Sequence, residues 1–271
     1  MSYNLNELQR QFHGFLKTPT LWKDHSVLSL NQLYLPKRPI SQFDEKEKLN
    51  TRLGKRVEQF VFSELDQHHN ISILLKNTQI QKKKQTIGEI DCILVQDNNP
   101  IHLEIVYKFY LYDQTQGSTE IEHWIGPNRN DSLIKKLTKL RDKQLPLIHN
   151  PSTTKILSNL NVDYKKIIQH VYFKAQLFVP YNKKLPDFNL LNADCLSGYY
   201  IHYSRINQFK NCTFFIPNKI DWLIAPVNDV DWLDYISFYE KTVNLINKKM
   251  APLCWIKSTK GIVRKFFVVW W

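Results

Sequence analysis

Cysteine is sparse in this sequence. Its four cysteines, Cys92, Cys195, Cys212 and Cys254, lie far apart with no CxxC pair among them. A disulfide scaffold is excluded, and zinc or dithiol chemistry has no support. Glycine is scarce at 7 and proline ordinary at 12, which excludes collagen-like and linker-like chains. There is no P-loop and no GxGxxG, so a nucleotide-cofactor site has no sequence basis. The histidines show no His-x-x-x-His spacing. No apolar run approaches the roughly 18 residues of a membrane span. The opening stretch, MSYNLNELQRQFHGFL, lacks the charged-then-apolar layout of a secretory leader. The expectation is a cytoplasmic protein in a reducing compartment, without membrane association.

What the sequence does hold is apolar material and positive charge. Hydrophobic residues make up 43% of 271, enough for a sizeable core. The 7 Trp, 13 Tyr and 15 Phe belong mostly inside, where aromatic area stabilises most. Lys and Arg number 37 against 25 Asp and Glu, a formal charge of +12. That excess fits a polyanionic partner and also serves solubility.

The first forty residues, broken by Pro19, Pro36 and Pro39, read as one or two helices and a wrapping arm. From Asp44, a candidate cap, Leu49, Leu53, Val57, Phe60, Val61 and Leu65 recur at helical spacing. Strand-like text follows in Ile71–Leu75, Thr86–Gln96 and Ile101–Tyr112. The turn signal Asp97-Asn98-Asn99-Pro100 makes the last two a hairpin. A second helix starts near Asp131. Its inner stripe is Leu133, Leu137, Leu140 and Gln144, and its polar side carries Lys135, Lys136, Lys139, Arg141 and Lys143. Residues 149–165 read as a linker or long insertion. Beyond them come strands near His170–Pro180, Gly198–Tyr203, Cys212–Ile216, Pro252–Ile256 and Ile262–Trp270, with a helix over Asp231–Lys249.

The hairpin carries the chemistry. With Asp97 opposite Pro100, Ile93 faces Glu104, Asp91 faces Val106 and Glu89 faces Lys108. Side chains two apart share a face, so Glu89, Asp91, Glu104 and Lys108 all point one way. Charges between apolar strands must be paired, hydrated or metal-bound. Their hard oxygen ligands select Mg²⁺ or Mn²⁺. A nearby lysine stabilises developing phosphoryl charge, and phosphodiester hydrolysis uses all these parts. The competing reading is a half-solvated face on which Glu89 and Lys108 form a surface ion pair. Three accessory residues surround the set. Glu58 lies beside the first helix's apolar stripe, either facing the sheet or reaching solvent. Gln144 offers an amide to orient a water or hold a phosphate. His102 shares the Glu104 face as a neighbour. The second helix's lysines either track a nucleic-acid backbone or form a solvated face. Trp222, Trp232, Trp255, Trp270 and Trp271 serve a core or interface, or stack on bases.

Gly54-Lys55-Arg56-Val57-Glu58, Gly88-Glu89-Ile90-Asp91 and Glu104-Ile105-Val106-Tyr107-Lys108 together resemble the PD-(D/E)XK nuclease superfamily. More narrowly, HLEIVYKFYL (102–111), WIGPNRND (124–131) and RKFFVVWW (264–271) resemble the bacterial family called domain of unknown function 1853. The resemblance implies an α/β fold: a restriction-endonuclease-like core, with a central mixed sheet flanked by helices, and a C-terminal α+β extension. The expected division is an N-terminal helical arm over 1–44, the nuclease core over 45–150 and an α+β region over 151–271, packed with the core or apart from it. The resemblance makes Glu58 the first-helix acid, Asp91 and Glu104 the metal ligands and Lys108 the motif lysine, and leaves Glu89 an accessory. The sequence departs from the superfamily in one respect. Val106 stands where the lysine usually does, and Lys108 lies about 6.6 Å further along the strand. The implied function is divalent-metal-dependent hydrolysis of nucleic acid, with DNA favoured over RNA. The alternative is a non-catalytic nucleic-acid-binding or protein-interaction module that keeps the fold.

Overall fold

A computed structural model of the protein describes residues 5–36, 42–43 and 52–271. The helix start expected at Asp44, with Asp44 as its cap, lies outside these residues. Among them the architecture is α/β, built on one large mixed sheet flanked by helices. In chain order the elements are α1 (Leu5–Lys17), α2 (Leu53–Leu65), β1 (Ile71–Lys82), β2 (Gln85–Gln96), β3 (Asn99–Tyr112), β4 (Trp124–Ile125) and α3 (Leu133–Lys139). Then follow α4 (Pro151–Asn159), β5 (Ile168–Pro180), β6 (Leu196–His202), β7 (Thr213–Phe215), α5 (Tyr235–Asn247), β8 (Leu253–Lys257) and β9 (Val263–Val269).

The strands run in the order β1-β2-β3-β5-β6-β9-β8-β7, with β4 paired to β3. At the centre, β3, β5, β6 and β9 are mutually parallel, and both margins are antiparallel. Parallel strands are covered on both faces, which is why β5 is apolar and buried almost throughout. One sheet thus takes strands from both the 45–150 and the 151–271 segments. On one face Phe12 and Phe15 of α1 and Val57, Phe60 and Val61 of α2 pack on Leu94, Leu103 and Tyr172. On the other, Leu133, Leu137 and Leu140 pack on Val106, Val171 and Phe173. No helix of the described residues is long and apolar enough to cross a membrane.

Two local expectations change. Residues 149–165 are structured. Asn150 caps α4 by accepting from Ser152 N at 3.0 Å, with Pro151 in the first turn, and Leu157 is buried among Ile80, Ile90 and Ile93. The composition is polar because α4 buries only a narrow stripe. The hairpin turn is also tighter than Asp97-to-Pro100. Asp97 and Asn98 alone form it, at φ of 49° and 66°, the left-handed values of a two-residue hairpin. Gln96 therefore pairs with Asn99, and Ile93 with His102 rather than Glu104. The register moves by two, so the faces stay as expected and Asp91 comes level with Glu104.

Candidate functional site

The ladder between β2 and β3 stops at Cys92 and Leu103. Beyond it the strands part. β2 stays paired with β1 as far as Gln85, and β3 stays paired with β5 as far as Leu111. At the point of parting a side chain replaces the backbone partner. Asp91 Oδ2 accepts from Ile105 N at 2.9 Å. The Asp91 N–H in turn interacts with the Glu104 carboxylate. The two acids face each other across the start of a fork.

Neither acid is comfortable there. Burial raises Asp91 to about 6, helped by the nearby charge of Glu104. Burial raises Glu104, which is fully inaccessible, to about 7, while Lys136 and Lys139 pull it down. Glu104 is gripped on both oxygens. His102 Nε2 lies 3.2 Å from Oε1, and Gln144 Nε2 donates a very short hydrogen bond to Oε2. Burial lowers His102 to about 4, so its imidazole is neutral near pH 7.

Gln144 reaches the site by a local irregularity. Ser132 caps α3, and after Lys139 the helix widens into a π turn over Leu140–Gln144. Such widened turns re-aim side chains. Here Gln144 Oε1 accepts from Lys136 Nζ at 2.8 Å, across eight residues of sequence. Lys136 is held down to about 8, mostly by burial, with Glu104 and Asp91 opposing that effect.

The fork admits a helix from the opposite face. Lys55, on the first turn of α2, donates to Glu58 Oε2 at 2.8 Å and to Glu89 Oε1 at 2.7 Å. Burial raises Glu58, the Lys55 contact lowers it, and the charges of Asp91 and Glu89 raise it further. With β2 gone from its side, the stretch Ile105–Phe109 of β3 lines a cleft of about 790 Å³. Gly54, Glu58, Lys136, Asp131, Lys219 and Trp222 also line it. Glu104 and Asp91 do not line it, but Lys136, which does, is close enough to act on the charge of both.

The structure therefore brings together Glu58, Glu89, Asp91, Glu104, His102 and Gln144. Lys108 lies elsewhere. It lines the cleft, and its Nζ donates to Asp131 Oδ2 at 2.6 Å. A β-carbon at Gly126 would come 2.0 Å from Asp131 Oδ1, so that loop requires glycine to seat the acid that holds Lys108. The cation that acts on both Glu104 and Asp91 is Lys136, with Lys139 adding to it at Glu104; both are among the five basic residues expected on the polar side of the helix. The signal that singles Lys136 out is its place three residues after Leu133 and four before Leu140, at the border of the inner stripe. Of the tryptophans, Trp255 is buried, and Trp222 packs edge-on against Phe109 and Phe267. Trp271 lies under the Arg129 guanidinium at 4.6 Å and donates to Pro127 O at 3.0 Å, which fixes the cleft's 127–131 wall.

The donor set can be tested against a divalent cation. Among the described residues no group of three or more His, Cys, Asp or Glu side chains converges to hold a metal ion. The Asp91–Glu104 pair supplies two hard carboxylates whose ionised forms are unfavourable without added positive charge. Mg²⁺ commonly takes one or two carboxylates and completes its shell with water and substrate phosphate, so the pair fits that ion. No curated protein and no solved structure matches this chain. A family match covers residues 11–269, taking in the fork, the cleft and the C-terminal strands; the chain belongs to the family described as Domain of unknown function (DUF1853).

Proposed function

We propose that the protein is a divalent-metal-dependent nuclease whose site is the β2–β3 fork. The observation that carries this reading is the pairing of two carboxylates, the half-buried Asp91 and the buried Glu104, at the end of a ladder, each raised by its desolvation, beside a cationic cleft. The resemblance of the Gly88–Asp91 and Glu104–Lys108 segments to the PD-(D/E)XK nucleases supports it, as does the placing of Glu58, on the helix before the sheet, near the charges of Asp91 and Glu89. Asp91 and Glu104 would hold Mg²⁺ or Mn²⁺. Bound there, the ion supplies Lewis-acid polarisation of a phosphodiester and lowers the pKa of a coordinated water.

The chain's own groups do the rest. Lys136, at the cleft and next to the acids, places positive charge where phosphoryl charge develops, the part that the motif assigns to Lys108. Lys108, neutralised by Asp131 at the cleft wall, serves substrate contact. Glu58 stands across the fork from Asp91, with Lys55 fixing it and Glu89 together, and accepts a proton from a water held there. The net charge of +12 favours a nucleic-acid backbone as the substrate.

The deciding experiment is incubation of single- and double-stranded DNA and RNA with the protein and Mg²⁺ or Mn²⁺. Cleavage that Asp91→Asn abolishes in a folded protein is the expected result. Equal cleavage by that variant overturns the assignment. Salt-sensitive binding with no hydrolysis and no Mn²⁺ affinity leaves the non-catalytic module instead.

A further inference from the structure

The acid pair has unequal support. Asp91 is oriented by the Ile105 N–H, whereas Glu104, besides the Asp91 N–H, has a side chain directed at each of its two oxygens. His102 is 0% exposed, and its ring is directed at Glu104 Oε1 at 3.2 Å. Its other nitrogen, Nδ1, has no hydrogen-bond partner among the described residues. Ionised, as a metal ligand must be, Glu104 only accepts, so in that state the ring proton of the neutral imidazole sits on Nε2 and is donated to Glu104. An imidazole that leaves Nδ1 unpaired to do this sacrifices one buried hydrogen bond to keep that contact.

The other side of Glu104 is ordered by a similar argument. Gln144 can present either its oxygen or its amide nitrogen. Lys136 has only donors, and it takes Gln144 Oε1 at 2.8 Å. The Nε2 of Gln144 is thereby turned toward Glu104 Oε2. The carboxylate is clamped from both ends, with its plane and rotamer fixed before anything binds.

We infer that His102 and Gln144 are positioning residues that hold Glu104 in the geometry of a metal ligand, without touching the metal or the substrate themselves. The inference rests on the proposed metal site and deepens it. Partners that orient a ligand in this way commonly account for about 10–100-fold in metal affinity. Losing either one frees Glu104 to rotate, and the cost falls on the metal step.

Calorimetric titration with MnCl2 tests this on the full chain, with wild type, His102→Ala, His102→Gln and Gln144→Ala compared after circular dichroism confirms their fold. The expected result is a Kd raised about 10–100-fold in His102→Ala and in Gln144→Ala. His102→Gln, whose amide can still donate toward Oε1, recovers most of the loss, which a merely space-filling histidine would not allow. If His102→Ala does not fold, the His102→Gln and Gln144→Ala titrations decide. A wild-type protein that takes up no Mn²⁺ overturns the metal site and this inference with it. A wild type that binds, beside variants that bind equally well, overturns the clamp alone.

Discussion

Two sets of buried charge lie on opposite faces of β3, and they differ in how the fold satisfies them. On the α3 face, Asp91 and Glu104 share a fork; burial pushes both toward the protonated form, and the charge of Glu104 pushes Asp91 further. On the α1 face runs a seam of lysines. Lys265 is buried, lowered to about 7, and donates to Trp222 O at 2.6 Å and Gln176 Oε1 at 2.9 Å. Gln176 passes the chain to the Tyr107 hydroxyl at 2.8 Å, which pairs with Thr18 at 2.7 Å. Lys174 reaches the carbonyls of Phe15 and Leu16 and sits 4.4 Å from the Phe15 ring. Every donor in the seam meets an acceptor inside the protein, and the seam ties strands to α1 and to the Trp222 segment. The acids have Lys136, Gln144 and backbone N–H groups against them, yet burial still leaves both raised, and an added cation or a proton relieves what remains. Burial alone does not mark a site; buried charge that the fold leaves uncompensated does.

That contrast is breakable in several ways, beginning with the largest effect. Asp91→Asn should lower cleavage by about a thousandfold or more, on the scale of losing a main electrostatic element, while Lys265→Met should stay within about tenfold. Turnover assays on folded variants decide it, and an inactive Lys265→Met beside an active Asp91→Asn would reverse the roles given to the two regions. Next, Lys136→Met should cost about a hundredfold and Lys108→Met less than about tenfold, because Lys136 acts on the charge of Asp91 and Glu104 whereas Lys108 is paired with Asp131. The opposite ranking would return the lysine role to β3.

Stability separates the two regions by sign. Glu104→Gln removes an unfavourable buried charge and should stabilise the metal-free protein by about 1–3 kcal/mol at pH 8. Lys265→Met leaves the Gln176 amide oxygen without its donor and the Trp222 carbonyl with only the longer Gln176 Nε2 contact, and should destabilise by about 1–3 kcal/mol at pH 10. Thermal denaturation with a chelator present measures both. The pH slopes differ too. The raised acids bind protons more tightly folded than unfolded. Their contribution is complete below their ordinary values near 4 and is lost as pH rises through about 6 to 7. Lys265 is depressed from 10.5 to about 7, so its penalty is complete below pH 7 and is relieved as pH climbs toward 10.5. Asp91→Asn combined with Glu104→Gln should flatten the first limb, and Lys265→Met should reduce the second. The smallest effect is at the cleft wall. Trp271→Ala removes the Arg129 stacking and the bond to Pro127, costing about 1 kcal/mol and raising KM more than it lowers kcat.

Much of the site is legible in the residues themselves. Alternation of period two put Glu89, Asp91 and Glu104 on one face, and because the register error was two residues it did not alter that result. The inner stripe of the second helix, Leu133, Leu137, Leu140 and Gln144, does face the sheet. What no spacing shows is the fork, since the end of the β2–β3 ladder depends on β5 holding β3 while β1 holds β2. Lys136 was hidden for a related reason. It stands three residues after Leu133 and four before Leu140, at the border of the buried stripe, yet its charge groups it with the exposed Lys135 and Lys139 until the fold sets Gln144 and the acids beside it.

The sequence by itself determined the α/β alternation, the apolar parallel strands, the hairpin face and the family, because these rest on local periodicity and on residue identities read in order. Only the tertiary structure decided which lysine meets the acids, how Glu104 is clamped, and that a polar stretch after Asn150 becomes a packed helix. Those outcomes depend on contacts between residues far apart in the chain, on parting strands and on burial. The energy of a buried charge is set by whatever surrounds it in space, and linear order does not record its surroundings.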